Sequence, residues 1–483
     1  MSGRVSIVTS FRPVDVADAA REFRTLPPGS DPVELRADCL SAQEVAALVA
    51  GTERDLIVTV RRTVEGGGYR GTEQARLEML QAALDAGARW IDVEWGSEAA
   101  TLAGGPDADR VILSDHGAPC ELETLVQRVE RMSGSPAARL KVVANAERPV
   151  QIVAIRDLLR GRRDDRLCAF ALGAPGALSR VLAPAWGSWG TYASARLGAE
   201  TAPGQFTAEQ LRHLFDVTSI RESTRIVALA GREVFPASPS PAMHNAGYRA
   251  LGLDRIYLPL AARDWGDVVA LSQTLGFAGL AVTMPFKGEA ADYVVRSDEL
   301  SGIARAVNTI VFEDTGPAGA NTDGPAAVDR LETAGLDPGD RIDVLGAGGT
   351  ARAIAAALAQ RGYRPHLWSR GGGAGLGAPA RVAESVLDDR ASGEADWLVN
   401  ATPLRDARLF DAGAPARRGV LDAVYGSPPT ELIRSARRAG LQAIDGLSLL
   451  VTQAERQFRI HTGRKPPPDL FAAVGQRYLD EVG

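Results

Sequence analysis

The chain has 483 residues, of which 45% are hydrophobic and 24% are charged, and its net charge at pH 7 is −6. This length is too great for one ordinary domain and predicts a globular protein of two or three domains. The sequence has no basic stripe and no apolar run of the ~18 residues that a membrane span needs. We therefore expect small-molecule partners, not nucleic acid or a membrane. The oligomeric state stays open.

Cysteine and histidine usage argues against a metal centre. Cys39, Cys120 and Cys168 are odd in number and lack ligand spacing, and the five histidines are scattered. We expect no metal site and interpret the cysteines as buried thiols in a reducing compartment. The first residues, MSGRVSIVTSFRP, contain no signal-peptide core, so we expect a cytoplasmic protein.

Lysine is rare in this chain: of 54 basic residues only Lys141, Lys287 and Lys465 are lysines. A guanidinium stays protonated at neutral pH, so arginine can neither form a Schiff base nor act as a general base. Lys141 in RLKVVANA and Lys287 in AVTMPFKG fall at predicted strand ends, where they become candidates for amine chemistry. The alternative, a surface lysine that simply persisted, suits Lys465 best.

The first ~215 residues alternate short β-branched runs with helical stretches rich in Ala, Leu and Arg, the pattern of a parallel sheet. Eight strands in this length predict a small (β/α)8 barrel, with an open sheet as the alternative. The predicted strands are VSIVTS (5–10), VELRAD (33–38), LIVTVR (56–61), WIDVEW (90–95), RVILSD (110–115), LKVVAN (140–145), LCAFAL (167–172) and SWGTYA (188–193).

Polar residues cluster where these strands end, which is where a βα barrel gathers its reacting groups. An amine, an imidazole and several arginines at one barrel mouth suit Schiff-base chemistry on a carboxylated ketone, with the histidine moving a proton. Taken singly, each residue also has a structural explanation, as an ion pair, a hydrogen-bonded histidine or a lysine that extends to solvent. The candidates are Glu34, Arg36, Asp38, Arg61, Glu65, His116 (after strand five), Lys141, Arg180, Thr201 and Gln205.

A second unit begins near RIVALAGREVF (225–235), after a linker between about 212 and 224. PASPSPAMHNAGY places Ser238 and Ser240 in a proline-stiffened loop that could hold a carboxylate or hydroxyls, although an ordinary serine turn is an alternative. Downstream motifs add polar groups at predicted strand ends. A lysine beside a carboxylate predicts either a proton-transfer pair or a structural salt bridge. The polar groups at these strand ends are Thr283, Lys287, Asn308 and Asp323, and Lys287 and Asp323 are the lysine and the carboxylate in question.

A nucleotide-binding turn follows the strand in RIDVLGAGGTARAIAAALAQ (341–360). Its glycines allow a tight turn, and the start of the next helix attracts phosphate. The following strand, HLWSR, ends in Ser369 and Arg370 without the acid that NAD enzymes carry about 20 residues on, which favours NADP. Arg370 could instead be one more surface arginine. The turn comprises Gly346, Ala347, Gly348, Gly349, Thr350 and Ala351, and Thr402 in DWLVNATPL could flank the nicotinamide.

Six motifs of the first half resemble type I 3-dehydroquinate dehydratase in their order: VELRADCL, VTVRRTVEGG, VILSDH, LKVVANA, LGAPGALSRV and TAPGQ. The resemblance covers about 1–212 and implies dehydration of 3-dehydroquinate to 3-dehydroshikimate in a (β/α)8 barrel. It implies that Lys141 forms the Schiff base, His116 moves the proton and Glu65 orients the imidazole. The residues implied to hold the substrate are Glu34, Arg36, Arg61, Arg180, Thr201 and Gln205.

The second half resembles shikimate dehydrogenase across about 222–483, through SPSPAMHN, VTMPFK, AVNT, NTDG, GAGGTA, VNATPL, DAVYGSPPT and DGLSLLVTQAERQF. This implies reduction of 3-dehydroshikimate to shikimate with NADPH, with Lys287 as general acid and base and Asp323 as its partner. The residues implied to hold substrate are Ser238, Ser240, Thr283, Asn308, Tyr425 and Gln453. Those implied to line the cofactor are the Gly346–Ala351 turn, Ser369, Arg370, Thr402, Val424 and Gly446.

Together the two resemblances predict a bifunctional shikimate-pathway enzyme of the α/β class. The predicted domains are a barrel (1–215), a substrate-binding lobe (222–325, with a C-terminal helix at 450–478) and a Rossmann nucleotide domain (326–449). Two positions depart from the second family: Arg405 replaces a usual glycine, and Ser448-Leu449-Leu450 replaces Gly-Met-Leu. The alternatives are a quinate/shikimate dehydrogenase that uses NAD catabolically and a catalytically inactive sensor of quinate-pathway compounds.

Overall fold

The computed structural model describes residues 5–26, 31–162, 164–235, 238–369, 383–386, 394–405 and 415–482. The chain divides into two compact units, Met1–Thr224 and Arg225–Gly483. None of the helices in the described residues is both long and apolar enough to cross a bilayer.

The first unit is built on eight parallel strands, and each lies where the sequence predicts one. Their hydrogen-bonded order is β7-β6-β5-β4-β3-β2-β1-β8. The two end strands also approach each other, since Trp189 N donates to Leu167 O at 3.2 Å. The sheet is therefore a nearly closed barrel, and the (β/α)8 prediction is confirmed. The strands are β1 (Ser6–Phe11), β2 (Val33–Arg36), β3 (Leu56–Thr59), β4 (Trp90–Glu94), β5 (Val111–Pro119), β6 (Arg139–Asn145), β7 (Leu167–Leu172) and β8 (Gly190–Ser194).

Regular α-helices follow six of these strands. Among the described residues, β4 leads instead into two short 3₁₀ turns and β8 into a π-helical turn, Gln210–Leu214. Local sequence starts several helices: Ser41 and Glu44 form a reciprocal capping box, and Thr72 caps the next helix. The helices are α1 (Val16–Thr25), α2 (Ala42–Ala50), α3 (Glu73–Asp85), α4 (Leu122–Ser133), α5 (Ile152–Arg162) and α6 (Gly173–Leu182).

Two expectations for this unit are wrong. His116 does not follow strand five, because β5 continues to Pro119 and carries His116 within it. A register shift against β6 lies between His116 and Ala118, and such a bulge redirects side chains. Cys39 is exposed, unlike the buried Cys120 and Cys168, because it lies in the loop between β2 and α2.

The second unit begins with a mixed six-stranded sheet in the order β10-β9-β11-β13-β14-β12. Strands β10, β9 and β11 are parallel, whereas β13 runs antiparallel to both β11 and β14. Its elements are β9 (Arg225–Gly231), α7 (Ser240–Ala250), β10 (Arg255–Ala261), α8 (Trp265–Leu275), β11 (Gly279–Val282), α9 (Lys287–Tyr293), β12 (Arg296–Ser297), α10 (Glu299–Ala304), β13 (Thr309–Glu313) and β14 (Gly316–Ala320).

A parallel six-stranded sheet follows, in the order β17-β16-β15-β18-β19-β20, which is the expected Rossmann arrangement. Its inner strands β15, β18 and β19 are buried along their whole length, as is typical of a parallel sheet covered on both faces. The elements are α11 (Asp323–Thr333), β15 (Ile342–Leu345), α12 (Gly349–Gln360), β16 (Pro365–Ser369), β17 (Ala383–Val386), β18 (Trp397–Asn400), β19 (Gly419–Asp422), α13 (Glu431–Arg438), β20 (Gln442–Ile444), α14 (Gly446–Thr462) and α15 (Leu470–Val482).

The C-terminal segment returns to the first sheet of this unit, where Phe458 and Phe471 share a core with Met243 and Tyr257. The prediction of one helix over 450–478 is wrong, because α14 and α15 are separate helices. Gly463 ends α14 in the left-handed conformation (φ 73°), and the run Pro466-Pro467-Pro468 cannot continue a helix.

Candidate functional site

A cavity of about 310 Å³ lies at the carboxyl ends of the barrel strands. The structure brings together every residue that the first resemblance placed in a site, although they come from separate strands and loops. Phe170 and Tyr192 add aromatic walls that the sequence analysis did not single out. The predicted residues lining the cavity are Glu34, Arg36, Arg61, Glu65, His116, Lys141, Arg180, Thr201 and Gln205.

Lys141 projects from β6 into this cavity and is 3% exposed. Its Nζ lies 2.5 Å from Asp92 Oδ2, 3.6 Å from Glu34 Oε1 and 4.2 Å from the ring centroid of Tyr192. Sequence reasoning missed Asp92. Its alternation with Glu94 on β4 was a signal of the same kind as that of Glu34 and Arg36 on β2.

Asp92 is ionised despite its burial. Burial raises the pKa of Asp92, but the adjacent Arg61 and Lys141 cations outweigh that effect and hold the pKa well below its usual range. Arg61 Nη2 donates to Asp92 Oδ1 at 2.7 Å, and Ser114 Oγ donates to the same oxygen at 2.6 Å. Asp92 thus joins Lys141 and Arg61 in one buried charge network.

His116 and Glu65 form a second polar pair, with 3.0 Å between Nδ1 and Oε2. Burial, Arg61 and Lys141 hold the pKa of His116 well below 6.5, so the ring is neutral at pH 7. Burial raises the pKa of Glu65 to about 7 despite the nearby Arg61. A proton on Nδ1 that is donated to Glu65 leaves Nε2 as an acceptor for the cavity.

Arg180 is a buried cation that lacks an acidic partner in the described residues. It is 1% exposed, stacks on Phe170 at 4.4 Å and donates from Nη1 to Tyr192 O at 3.1 Å. In the described part of the chain, its Nε and Nη2 meet no hydrogen-bond partner. Burial lowers the pKa of Arg180 to about 9, so the group remains charged at pH 7. A ligand carboxylate fits these free donors.

Three further hydrogen-bonded groups complete the cavity wall. Glu34 accepts hydrogen bonds from Ser10 and Thr59. Arg36 pairs with Asp38 at 2.7 Å, and Asp38 also accepts from Arg61 N at 2.8 Å, so Asp38 supports two residues of the cavity wall without lining it. Gln205 Oε1 accepts from Thr201 N at 2.7 Å, which fixes the loop after β8.

The second unit contains a cavity of about 330 Å³. It is lined by all the residues predicted to hold substrate, by the Lys287–Asp323 pair and by four of the predicted cofactor residues. Glu233, Leu449, Leu450 and Gln457 also line it and were not predicted as site residues. The predicted residues are Ser238, Ser240, Thr283, Lys287, Asn308, Asp323, Thr350, Thr402, Val424, Tyr425, Gly446 and Gln453.

Lys287 and Asp323 are in direct contact, with 2.5 Å between Nζ and Oδ2. Each is the first residue of its helix, α9 and α11, and their side chains are 13% and 11% exposed. Asn308 Nδ2 donates to the other carboxylate oxygen of Asp323 at 2.8 Å. A partly buried amine beside a fixed carboxylate, open to a cavity, can give or take a proton at a bound oxygen.

Hydroxyl and amide groups face the rest of this cavity. Ser238 Oγ donates to Ser240 Oγ at 3.2 Å, and Ser240 N donates to Ser238 Oγ at 3.3 Å. Burial raises the pKa of Tyr425, which stays a neutral hydroxyl at pH 7. Gln453 lies on α14, and its Oε1 accepts a hydrogen bond from Thr322 Oγ1 at 3.2 Å, which fixes the side chain. These groups suit a small polyhydroxylated ligand.

The Gly346–Ala351 turn fits a dinucleotide. Gly346 has φ 121°, which favours glycine, and a Cβ there would lie 3.1 Å from Ala401 O. A Cβ on Gly348, the N-cap of α12, would meet nothing within 4 Å, so open space lies where a phosphate would approach the helix start. Apart from Thr350, the turn lies outside the 330 Å³ cavity. Ser369 ends β16, and Arg370 lies outside the described residues.

The residues that depart from the second family have definite contacts. Arg405 Nη1 donates to Tyr425 O at 2.9 Å, and Nη2 donates to Pro428 O at 3.0 Å. Arg405 therefore fastens the turn that carries Tyr425. Ser448 N donates to the N-cap Asp445, and Leu449 and Leu450 contribute apolar surface to the cavity.

Comparison with known proteins gives matches for both units. The family model "Type I 3-dehydroquinase" matches residues 7–222, and "Shikimate dehydrogenase substrate binding domain" matches 229–310. A bifunctional 3-dehydroquinate dehydratase/shikimate dehydrogenase of Arabidopsis thaliana is 26% identical, over 93% of this chain and 80% of that protein.

Shikimate dehydrogenases (NADP(+)) from two prokaryotes are more similar but shorter. That of Moorella thermoacetica is 37% identical over 54% of this chain and 95% of its own length. That of Methanothrix thermoacetophila is 39% identical over 51% of this chain and 94% of its own length. The chain belongs to the shikimate dehydrogenase family and carries a type I 3-dehydroquinase domain ahead of the region that matches that family.

Proposed function

We propose that this chain catalyses two consecutive steps of the shikimate pathway. The barrel dehydrates 3-dehydroquinate to 3-dehydroshikimate, and the second unit reduces 3-dehydroshikimate to shikimate with NADPH. The observation that carries the proposal is that each cavity contains one of the chain's few lysines, ion-paired with a carboxylate. We assign the dehydratase to 1–215, the substrate lobe to 222–325 with the C-terminal helices, and the NADP domain to 326–449.

In the barrel, Lys141 acts as the nucleophile. His116 takes one proton from the Lys141 ammonium, the free amine adds to the ketone carbonyl, and the proton returns to the carbinol oxygen, which leaves as water to give an iminium. The iminium draws electrons from the neighbouring carbon, so a proton on that carbon becomes acidic. Loss of that proton and of the β-hydroxyl as water forms the double bond. Hydrolysis of the imine then releases 3-dehydroshikimate and regenerates Lys141.

His116 moves the protons of this sequence. A neutral imidazole with Nε2 directed into the cavity can accept the carbon-bound proton and pass it to the leaving hydroxyl. Glu65 holds the ring through Nδ1 in the orientation that exposes Nε2. Arg180, with two free donors, binds the substrate carboxylate, and Glu34, Arg36, Arg61, Thr201 and Gln205 surround the hydroxyls.

In the second unit, the chain's residues bind the ketone and move one proton. NADPH, when bound, supplies the hydride. Lys287 donates a proton to the carbonyl oxygen of 3-dehydroshikimate as it becomes a hydroxyl, and Asp323 holds the amine in position. Ser238, Ser240, Thr283, Asn308, Tyr425 and Gln453 surround the ring and its carboxylate. The Gly346–Ala351 turn, Ser369, Arg370, Thr402, Val424 and Gly446 are assigned to the cofactor.

The alternative that the chain is a catalytically inactive sensor predicts that a reacting group has been lost. The reacting groups Lys141, His116, Lys287 and Asp323 are all present. The rival of an NAD-dependent quinate/shikimate dehydrogenase predicts an acid at the end of β16, and Ser369 stands there instead.

Borohydride reduction in the presence of 3-dehydroquinate is expected to leave a stable adduct on Lys141, read by mass spectrometry. Lys141→Arg keeps the charge but cannot form the iminium, so it should lose the adduct and at least ~10³-fold of the dehydratase rate. Its shikimate oxidation should persist. An adduct on Lys287 or Lys465, or an active Lys141→Arg, would contradict the assignment.

Lys287→Ala is expected to reduce shikimate oxidation by at least ~10²-fold, because the proton acceptor of the oxidation direction is removed. The dehydratase rate of the same preparation should stay within about twofold, and it serves as the internal check on folding. Loss of both activities would argue against separate sites.

Glu65→Gln is expected to stabilise the barrel increasingly as pH rises. The pKa of Glu65 is raised from 4.5 to about 7, so its contribution to stability is complete below 4.5 and is lost as pH rises through about 7. Glutamine does not ionise and avoids that loss. Unfolding of the barrel within the full chain can be measured by pulse proteolysis in urea, with barrel peptides as the readout. The urea midpoint of Glu65→Gln should exceed that of the wild type by more at about pH 8 than at about pH 5.

The matched control is Glu78→Gln on α3, whose exposed side chain keeps its water in the folded state. This control should track the wild type across the pH range. If the urea midpoints of Glu65→Gln and the wild type differed by the same amount at both pH values, the raised pKa of Glu65 would be refuted.

Shikimate oxidation is expected to favour NADP⁺ over NAD⁺ by at least about tenfold in kcat/KM. Ser369→Asp would place a carboxylate at the end of β16, where it repels a 2′-phosphate and accepts a ribose hydroxyl. This variant should lower kcat/KM for NADP⁺ and spare that for NAD⁺, with Ser369→Ala as control. A wild-type preference for NAD⁺ would overturn the cofactor assignment and favour the catabolic alternative.

A further inference from the structure

The hydroxyl of Thr350 contacts both charged groups of the proposed proton-transfer pair. Lys287 Nζ donates to Thr350 Oγ1 at 2.8 Å, and Thr350 Oγ1 donates to Asp323 Oδ2 at 3.3 Å. With the 2.5 Å contact between Lys287 and Asp323, these contacts close a triangle of three polar side chains. The hydroxyl is therefore directed at the reacting pair.

The start of α12 lies unusually close to Lys287. A Cβ on Gly349 would lie 3.3 Å from Lys287 Cβ and 3.1 Å from Ala306 Cβ, so the absence of a side chain lets the helix approach this closely. Thr350 is the next residue, and its hydroxyl reaches the amine from that position. A serine or threonine in the first turn often bonds to its own backbone, but this hydroxyl bonds across to another element.

A guanidinium fixes the same helix start. Arg352 Nε donates to Ala304 O at 2.8 Å, at the end of α10, and its Nη1 donates to Ala347 O at 2.7 Å. The first turn of α12 is thus tied both to the substrate lobe and to its own glycine-rich turn. Thr350 therefore sits on a fixed support, which positioning of another side chain requires.

We propose that Thr350 is a positioning residue for proton transfer by Lys287, in addition to its place in the nucleotide turn. This inference rests on the proposed shikimate dehydrogenase function. A lysine ammonium has three N–H donors, and here Asp323 and Thr350 each accept one. The third is left for an oxygen in the 330 Å³ cavity, where the substrate carbonyl is proposed to bind.

Loss of the hydroxyl frees a second N–H, and the amine then samples orientations that do not face the substrate. Orientation of a reacting group contributes to rate, not to uniform binding. The effect therefore falls on kcat, whereas KM for shikimate and the Kd for NADP⁺ stay close to the wild-type values. If Thr350 acted only on the nucleotide, loss of its hydroxyl would raise the Kd for NADP⁺ and leave kcat unchanged.

The test compares Thr350→Val, which keeps the shape and removes the hydroxyl, with Thr350→Ser, which restores it. Thr333→Val, an exposed threonine at the end of α11, is the control for loss of a helix threonine. The full chain is assayed for shikimate oxidation with NADP⁺, the Kd of NADP⁺ is measured by calorimetry without shikimate, and dehydratase activity reports folding.

Thr350→Val is expected to lower kcat for shikimate oxidation by about tenfold or more, with KM and the Kd of NADP⁺ within about twofold. Thr350→Ser should recover kcat to within about twofold of the wild type, and Thr333→Val should leave it unchanged. A raised Kd with kcat retained, an unchanged kcat, or a serine variant as slow as the valine variant would overturn the inference alone. A wild type that does not oxidise shikimate would overturn the proposed function itself.

Discussion

Both candidate sites depend on a lysine ammonium that is withdrawn from water and held by a carboxylate. Lys141 meets Asp92, and Lys287 meets Asp323, each at 2.5 Å. An isolated charge at such depth would be strongly destabilising, so each amine requires its acid. Arginine could satisfy the charge but could not give up a proton, which explains why lysine stands at these two positions in a chain whose other basic residues, apart from Lys465, are arginines.

The two pairs differ in what surrounds them, and the difference matches the chemistry proposed for each. Asp92 is shared between Lys141 and Arg61, and Glu34 lies 3.6 Å from the same amine, so Lys141 belongs to a dense charge network. This network holds the amine at the cavity, where it can reach the carbonyl carbon of a bound ketone. Asp323 has neutral neighbours, Asn308 and Thr350, which orient the pair without adding charge. Such surroundings suit a group that passes one proton to and fro.

Much of the architecture follows from local pattern. Eight β-branched runs predicted the barrel strands, and the glycine-rich turn after a strand predicted the Rossmann sheet, because these signals are carried by neighbouring residues. The helix break at Gly463 was missed, although Gly463 and the three prolines after it were visible in the sequence. The sequence predicts His116 just after strand five, whereas β5 continues to Pro119 and the bulge next to His116 depends on pairing with β6.

The predicted site residues could be named from motifs, but their partners could not. Asp92 sits on β4 and Lys141 on β6, so their contact arises only when the barrel turns both side chains inward. The contact of Thr350 with Lys287 likewise joins residues 63 positions apart through a close helix approach. The hydrogen bond from Arg405 to Tyr425 O joins residues 20 positions apart. Contacts of this kind depend on tertiary packing, which a single sequence does not display.

The claim that each buried amine depends on its own acid can be tested by competitive amine labelling of the full chain. With three lysines, each site is resolved by mass spectrometry, and the exposed Lys465 provides the reference rate. Removing a carboxylate favours the uncharged, nucleophilic amine beside it. Asp92→Asn should therefore accelerate labelling of Lys141 and leave Lys287 unchanged, and Asp323→Asn should do the opposite. Equal rates in wild type and variants, or acceleration at the other lysine, would contradict the account.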